Sequence, residues 1–170
     1  SSAFILGKPV DDLEGKLAEY VERKHCIACG NGTDALQLAL MVWGIGPGDA
    51  VFTSDFTYFA SAGASSILGA TPVLVDIDLS TFNMDPEALE IAIHRVITEG
   101  KLTPKVIIPV DLFGQPADYN KILPIAEKYG LKVLEDAAQG FGGNIKGKMA
   151  GSFGDLSATS FFPAKPLGCY

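Results

Sequence analysis

Basic residues are scarce in this chain. Lys and Arg total 13 against 20 Asp and Glu in 170 residues, a formal charge of −7, and the basic residues are dispersed rather than clustered. Without a concentrated positive field there is nothing to neutralise a phosphate backbone, so nucleic acid is not an expected partner. Cysteine is also sparse: three residues cannot make the even disulfide framework of a small secreted scaffold, and a reducing cytoplasm is the expected compartment. The opening SSAFILGKPVDD has no cationic region followed by a long apolar one, so no signal peptide is expected. Long apolar runs are nearly missing. The one uncharged stretch of bilayer length, 56–75, contains Thr57, Ser61, Ser65, Ser66, Gly69, Thr71 and Pro72, and reads as a buried helix, a turn and a strand rather than a membrane span. A collagen period, a fixed repeat, a low-complexity tract and an interdomain linker are all absent.

What is present is enough apolar residue, 48% of the chain, to build the core of one domain but not two. Apolar positions recur at helical spacing at Val10, Leu13, Leu17 and Tyr20, with acids near the start, as in a surface helix. A short apolar run, Cys26 to Cys29, reads as a strand that meets a Gly30-Asn31-Gly32 break, and a helix follows from about Thr33 to Trp43. Further strands are expected at Val51–Thr53, Pro72–Asp76, Val106–Val110, Lys132–Glu135 and near Ala158–Phe161. Helices are expected at Ala60–Leu68, from Pro86 with Asp85 as N-cap to about Thr98, and at Ile122–Tyr129 ended by Gly130. Continuous apolar strands alternating with helices predict an α/β fold, a mostly parallel sheet sandwiched by helices. In such sheets ligands bind beyond the carboxyl ends of the strands. The residues expected on that rim are Gly30–Asp34, Ser54–Tyr58, Asp76–Asp78, Asp111–Gln115, Asp136–Gln139 and Ser160–Lys165.

Three segments on the rim carry chemistry. In GNGTDALQLAL, the glycines let the backbone approach a ligand, and unpaired amides at a helix N-terminus favour an anion such as phosphate. The same segment matches the loose pattern G-x-G-x-x-A through Gly30, Gly32 and Ala35. Asp55 lies near the distance of a ribose-binding acid, so a nicotinamide site and a purely structural turn both stay open. In VLEDAAQGFGG, Asp136 follows an apolar strand and needs a hydrogen bond or a cation to be buried, though an acid here also serves as a turn or cap; Glu135 points to the opposite face by alternation. In SATSFFPAKPLGCY, Lys165 brings an amine to the rim. Taken together, an anion site at Gly32 and Thr33, an acid at Asp136, an aromatic at Tyr58 and an amine at Lys165 are what pyridoxal 5'-phosphate requires for its phosphate, ring nitrogen, ring face and aldehyde.

The segments NGTDALQLAL, GIGPGDAVFT, FTYFASA, GATPVLVDID, PVDLFGQPAD, YGLKVLEDAAQGFG and TSFFPAKPLGCY, in this order, resemble the DegT/DnrJ/StrS family of sugar aminotransferases, of fold type I among pyridoxal-phosphate enzymes, from about Phe4 onward. The resemblance implies that Lys165 forms the Schiff base with the cofactor, that Asp136 pairs with the ring nitrogen and that Gln139 lies beside the ring's hydroxyl side. It implies further that Tyr58 stacks on the ring while Gly32, Thr33 and Ser160 hold the phosphate. A lysine at 165 is unlike the relatives that carry histidine there and dehydrate their substrate. Pro166 stands where most members have asparagine, and SFFPAKPLGCY is most similar to members acting on UDP-linked 3-keto hexuronic acids.

The function implied is amino transfer, with glutamate as donor, to the keto group of a nucleotide-linked sugar in polysaccharide or related sugar biosynthesis, by a cytoplasmic homodimer with shared active sites. Residues 1–170 are then expected to be part of the cofactor-binding large domain of a longer subunit. Two rival readings are a pyridoxal-phosphate-binding regulatory or sensory protein on the same fold, and an NAD-dependent oxidoreductase built on Gly30 and Gly32. No metal is expected: Cys26 and Cys29 are half a zinc site at most, His94 lies on a predicted helix, and Asp76 and Asp78 read as a strand end and turn. Phe113 and Gln115 are placed either at a sugar pocket or in a loop against the core.

Overall fold

The computed structural model describes residues 7–169; the expectations resting on SSAFIL and on Tyr170 lie outside the described residues. In chain order the elements are α1 (Lys8–Tyr20), α2 (Gly32–Val42), β1 (Asp49–Ser54), α3 (Ala60–Ile67), β2 (Thr71–Val75), α4 (Pro86–Glu99) and β3 (Thr103–Ile108). A single 3-10 turn, η1 (Leu112–Gly114), precedes α5 (Tyr119–Tyr129) and β4 (Lys132–Asp136). A small antiparallel hairpin, β5 (Asn144–Ile145) and β6 (Lys148–Met149), leads to β7 (Leu156–Ala158).

Local chemistry sets many of these ends. The Asp85 carboxylate accepts from the amides of Glu87 and Ala88 to start α4, and Gly100 and Gly130 end α4 and α5 in left-handed backbone. Asn31 caps α2 by accepting from the Asp34 amide. Helix α5 begins earlier than the sequence pattern predicts, because Tyr119 is buried and anchors the first turn through its hydroxyl to Asp111. Strand β3 stops at Ile108 because Pro109 has no N–H to give to a ladder; Val110 makes only an isolated bridge to Asp136.

The five-stranded sheet has the order β2-β1-β3-β4-β7 and every pairing is parallel. From β1 the chain steps to β2 on one side, then crosses back over β1 to β3 and proceeds in the other direction. Reversing direction with right-handed crossovers places successive helices on opposite faces. Accordingly Val51, Val106, Ile108 and Leu134 pack with Leu36 and Leu40 of α2 and Ala64 of α3. Their strand neighbours Phe52, Ile107 and Val133 pack on the other face with Leu89 and Ile93 of α4 and Ile122 of α5. The predicted three-layer parallel α/β fold is the observed one, and the 56–75 stretch resolves into α3, a turn and β2 as expected.

Two further expectations are corrected. Cys26–Cys29 forms no strand: the Ala28 amide donates to the Glu14 carboxylate on α1 rather than to a ladder, and Ile27 is 82% exposed where a parallel strand would bury it. The last strand ends at Ala158 instead of Phe161: the Ala137 amide donates to the Ala158 carbonyl at the end of its pairing with β4, and the chain then turns away. Helix α1 is the surface helix expected: it leaves Leu13 and Tyr20 partly exposed, with Ala18 its buried residue and Tyr20 stacked on Phe141 at 5.1 Å. Among the described residues no helix is long and apolar enough to cross a membrane.

Burial predicts the cost of truncation at two leucines. Leu89 is 0% exposed and Leu79 83% exposed. Leu89→Ala is expected to lower unfolding free energy by about 2–5 kcal/mol, and Leu79→Ala by under about 0.5 kcal/mol, as measured by urea denaturation.

Candidate active site

The reversal in strand order lies between β1 and β3, and the carboxyl ends around it are where the polar rim residues meet. Asp136 ends β4. Its amide donates to the Pro109 carbonyl at 2.9 Å and its carbonyl accepts from the Asp111 amide at 3.0 Å, so its backbone is held from the neighbouring segment. The buried side chain faces α3: Oδ2 accepts from the Ser61 hydroxyl at 2.7 Å, and Oδ1 from the Ala138 amide at 3.2 Å. Ser61, itself buried, lies 3.3 Å from the Thr57 hydroxyl. Burial raises the Asp136 carboxyl above the ordinary aspartate range; the Ser61 and Ala138 bonds and the positive charge of Lys165 pull it back only in part.

Lys165 is carried to the rim by the segment after β7. The Phe162 amide donates to the Ser160 hydroxyl, the Lys165 amide to the Phe162 carbonyl, and the Cys169 amide to the Phe161 carbonyl, which folds the loop back on itself. Its Nζ lies 5.8 Å from the centroid of the Tyr58 ring, which is 69% exposed. An open cavity of about 490 Å³ is lined by Lys165, Ala164, Pro166, Phe113, Gly114 and Gln139. The Gln139 Oε1 accepts from the Phe113 amide at 3.1 Å, and Phe113 sits in left-handed backbone at φ 56°. For a non-glycine that conformation costs on the order of 1–3 kcal/mol and persists only where the surroundings over-determine it.

The predicted anion site has a structural basis in Gly32. A Cβ there would lie 2.9 Å from the Ser160 Cβ and 3.2 Å from the Thr159 carbonyl, so the first turn of α2 is seated directly against Ser160. Asn31 takes the Asp34 amide; those of Gly32 and Thr33, earlier in the turn, have no partner within the helix. The dinucleotide pattern through Gly30 and Gly32 loses its context, because no strand runs into it.

The structure therefore brings Lys165 together with Tyr58, Asp136 and Gln139, and Gly32 together with Ser160, with Thr33 on the same turn. The remaining sequence candidates take other places. Cys26 and Cys29 belong to no metal-binding group among the described residues. His94, on α4, lies 2.7 Å from the Tyr129 hydroxyl of α5, Asp78 caps the Ser80 amide in a turn, and the Gln115 carbonyl is tied to Asn83 while Phe113 faces the cavity. Sequence reasoning missed Ser61, whose only signal is its position in the first turn of the helix after β1. It also missed the buried polar cluster behind the site. Glu135 accepts from the amides of Gly151, Phe153 and Gly154, while Asp111 Oδ1 accepts from the Ala117 amide and the Tyr119 hydroxyl. Asp111 Oδ2 is buried without a partner.

The sequence model of the DegT/DnrJ/EryC1/StrS aminotransferase family matches residues 1–170. The chain belongs to this family. It is 53% identical over 98% of its length to a UDP-2-acetamido-2-deoxy-3-oxo-D-glucuronate aminotransferase of Pseudomonas aeruginosa, covering 45% of that protein. It is 51% identical over its whole length to a pleiotropic regulatory protein of Geobacillus stearothermophilus, covering 44%. Among solved structures, a DegT DnrJ EryC1 StrS aminotransferase from Brucella abortus superposes with a TM-score of 0.96 at 57% identity, over 98% of this chain and 44% of that one. The chain thus spans less than half the length of the relatives it matches.

The Asp111 carboxyl is raised from the usual 3.8 to about 8, by burial first and by the neighbouring Glu135 charge second. A raised folded pKa means that this family member's native state holds a proton that its unfolded state releases, so Asp111 makes stability fall as pH rises between about 4 and 8. Asp111→Asn is expected to flatten that decline, measured as urea unfolding free energy across the range; an unchanged slope would count against a protonated Asp111.

Proposed function

We propose that the protein is a pyridoxal-phosphate-dependent aminotransferase that aminates the keto group of a nucleotide-linked sugar, with a UDP-linked 3-keto hexuronic acid as the first candidate substrate and glutamate as donor. The observation that carries this reading is the convergence of an amine, an aromatic face and an under-compensated buried acid beside a glycine-seated helix N-terminus, in a member of an aminotransferase family.

The residues fit the cofactor. Asp136 is buried with two hydrogen bonds and still raised, so it lacks a full positive partner, and a protonated ring nitrogen would supply one. Gly32, Thr33 and Ser160 would hold the phosphate through unpaired amides and a hydroxyl. Tyr58 would cover one face of the ring, and Gln139 would lie beside its hydroxyl. When bound, pyridoxal phosphate supplies an aldehyde that exchanges amines and a ring that takes up the electron pair left by proton removal. Lys165 would hold the cofactor at rest, and its free Nζ would move the proton at the substrate carbon as general base and acid. Asp136 would keep the proton on the ring nitrogen. Donor and sugar react in turn at one site, so the kinetics are ping-pong.

The 170 residues are read as part of a cofactor-binding large domain, in a subunit that works in the cytoplasm as a homodimer with shared sites. Three free thiols suit a reducing compartment. The second reading, a regulatory protein that binds the same cofactor, is favoured by the Geobacillus relative's name.

Two measurements on the full natural protein test the proposal. Borohydride treatment after loading with cofactor is expected to fix the label on the peptide containing Lys165, and Lys165→Ala is expected to take none and to lose at least about 10²-fold to 10⁴-fold in turnover. Assayed against UDP- and dTDP-linked ketosugars, the protein is expected to transfer nitrogen from glutamate; cofactor binding with no transfer to any of them would favour the regulatory reading.

A further inference from the structure

Asn83 does not line the cavity around Lys165, yet it is 3% exposed and its side chain reaches a segment distant in sequence. Its Nδ2 donates to the carbonyls of Gln115 at 3.1 Å and Pro116 at 3.3 Å, and its Oδ1 accepts from the Leu112 amide at 3.2 Å. Those bonds grip both sides of η1, the turn that carries Phe113 at positive φ. The Phe113 amide is the group that donates to Gln139 Oε1, and Phe113 and Gln139 both line the cavity with Lys165.

The grip is anchored at its own end. The Asn83 carbonyl accepts from the Asp78 amide, and the Asp85 amide donates to the Asp76 carbonyl, closing a narrow turn after β2. Phe82, also left-handed, packs its ring against Phe113 at 6.3 Å. The residue type matters. A short amide offers a donor and an acceptor in one plane; an aspartate would set a carboxylate against two carbonyls, and a leucine would leave the three backbone groups without this partner.

We infer that Asn83 is a positioning residue for the cofactor site: by holding both ends of the Leu112–Gly114 turn it fixes where Phe113 presents its amide, and so where Gln139 stands. The inference rests on the pyridoxal-phosphate reading. Asn83 acts through Gln139 and touches no reacting atom, so its effect must vanish when Gln139 is removed, which a merely structural role would not produce.

The test is a double-mutant cycle on the full natural protein, reading the pyridoxal phosphate dissociation constant by titration of visible absorbance and the melting temperature of the cofactor-free forms. Asn83→Ala is expected to weaken cofactor binding about tenfold in the otherwise natural protein and under about twofold in the Gln139→Ala background. If Asn83→Ala does not fold, Asn83→Asp, which keeps the acceptor for Leu112, goes through the same cycle with the same expected pattern. Equal weakening in both backgrounds, unchanged affinity with only a lower melting temperature, or a Gln139→Ala variant that binds as well as the natural protein would each overturn the inference alone. A natural protein that binds no pyridoxal phosphate would overturn the reading beneath it as well.

Discussion

Two acids stand in succession at the carboxyl end of β4 and are buried on opposite faces of the sheet, and how each is compensated organises the region around them. An uncompensated buried carboxylate costs several kcal/mol or more, so each must find donors or a cation, or keep its proton. Glu135 is satisfied by three backbone amides of the 151–154 segment. That binding shapes the approach to β7. Asp136, one residue on, receives one hydroxyl and one amide and stays raised despite the charge of Lys165. The alternation of a strand thus separates an acid closed within the fold from one still open to a cationic partner.

The order of the strands explains why the open acid has the right company. Because the chain reverses direction after β2, α2 and α3 share one face of the sheet, and that is the face toward which Asp136 turns. Helix α3 brings Ser61 to its carboxylate, and the segment before it brings Tyr58 to the amine. Strand β7 pairs beside β4, so the chain leaving it passes Gly32 with Ser160 before delivering Lys165 to the rim. On the opposite face, the Tyr119 ring stacked on Phe153 at 4.5 Å and the Asp111 carboxyl form a buried support under the turn that carries Phe113.

Much of this was legible in the sequence. Helix starts and stops with a local cause were read closely: the Asp85 cap, the Gly130 stop and the Asn31-Gly32 entry all act through bonds or torsions within a few residues. The candidate site residues were proposed because each was read as following a strand and each has a chemical type that one cofactor needs; for Gly32 and Thr33 the preceding strand does not form. Features with long-range causes were misread or missed. The 26–29 segment has the composition of a strand, but its amide goes to a carboxylate on α1. Ser61 and Asn83 have ordinary local surroundings, and what distinguishes them is a partner 75 residues away in one case and some 30 in the other.

By itself, then, the sequence determined the parallel α/β class, the rim on which the polar groups fall and the family to which the chain belongs. Periodicity, capping and short motifs are local properties that survive without a folded partner. The tertiary structure alone decided which backbone amides enclose Glu135, that Ser61 is the hydroxyl bonded to Asp136, that the 26–29 segment stays outside the sheet, and that Asn83 holds the Phe113 turn. Those outcomes depend on which backbone groups are left unpaired after the strands have chosen their neighbours, and that choice is made by the whole sheet at once.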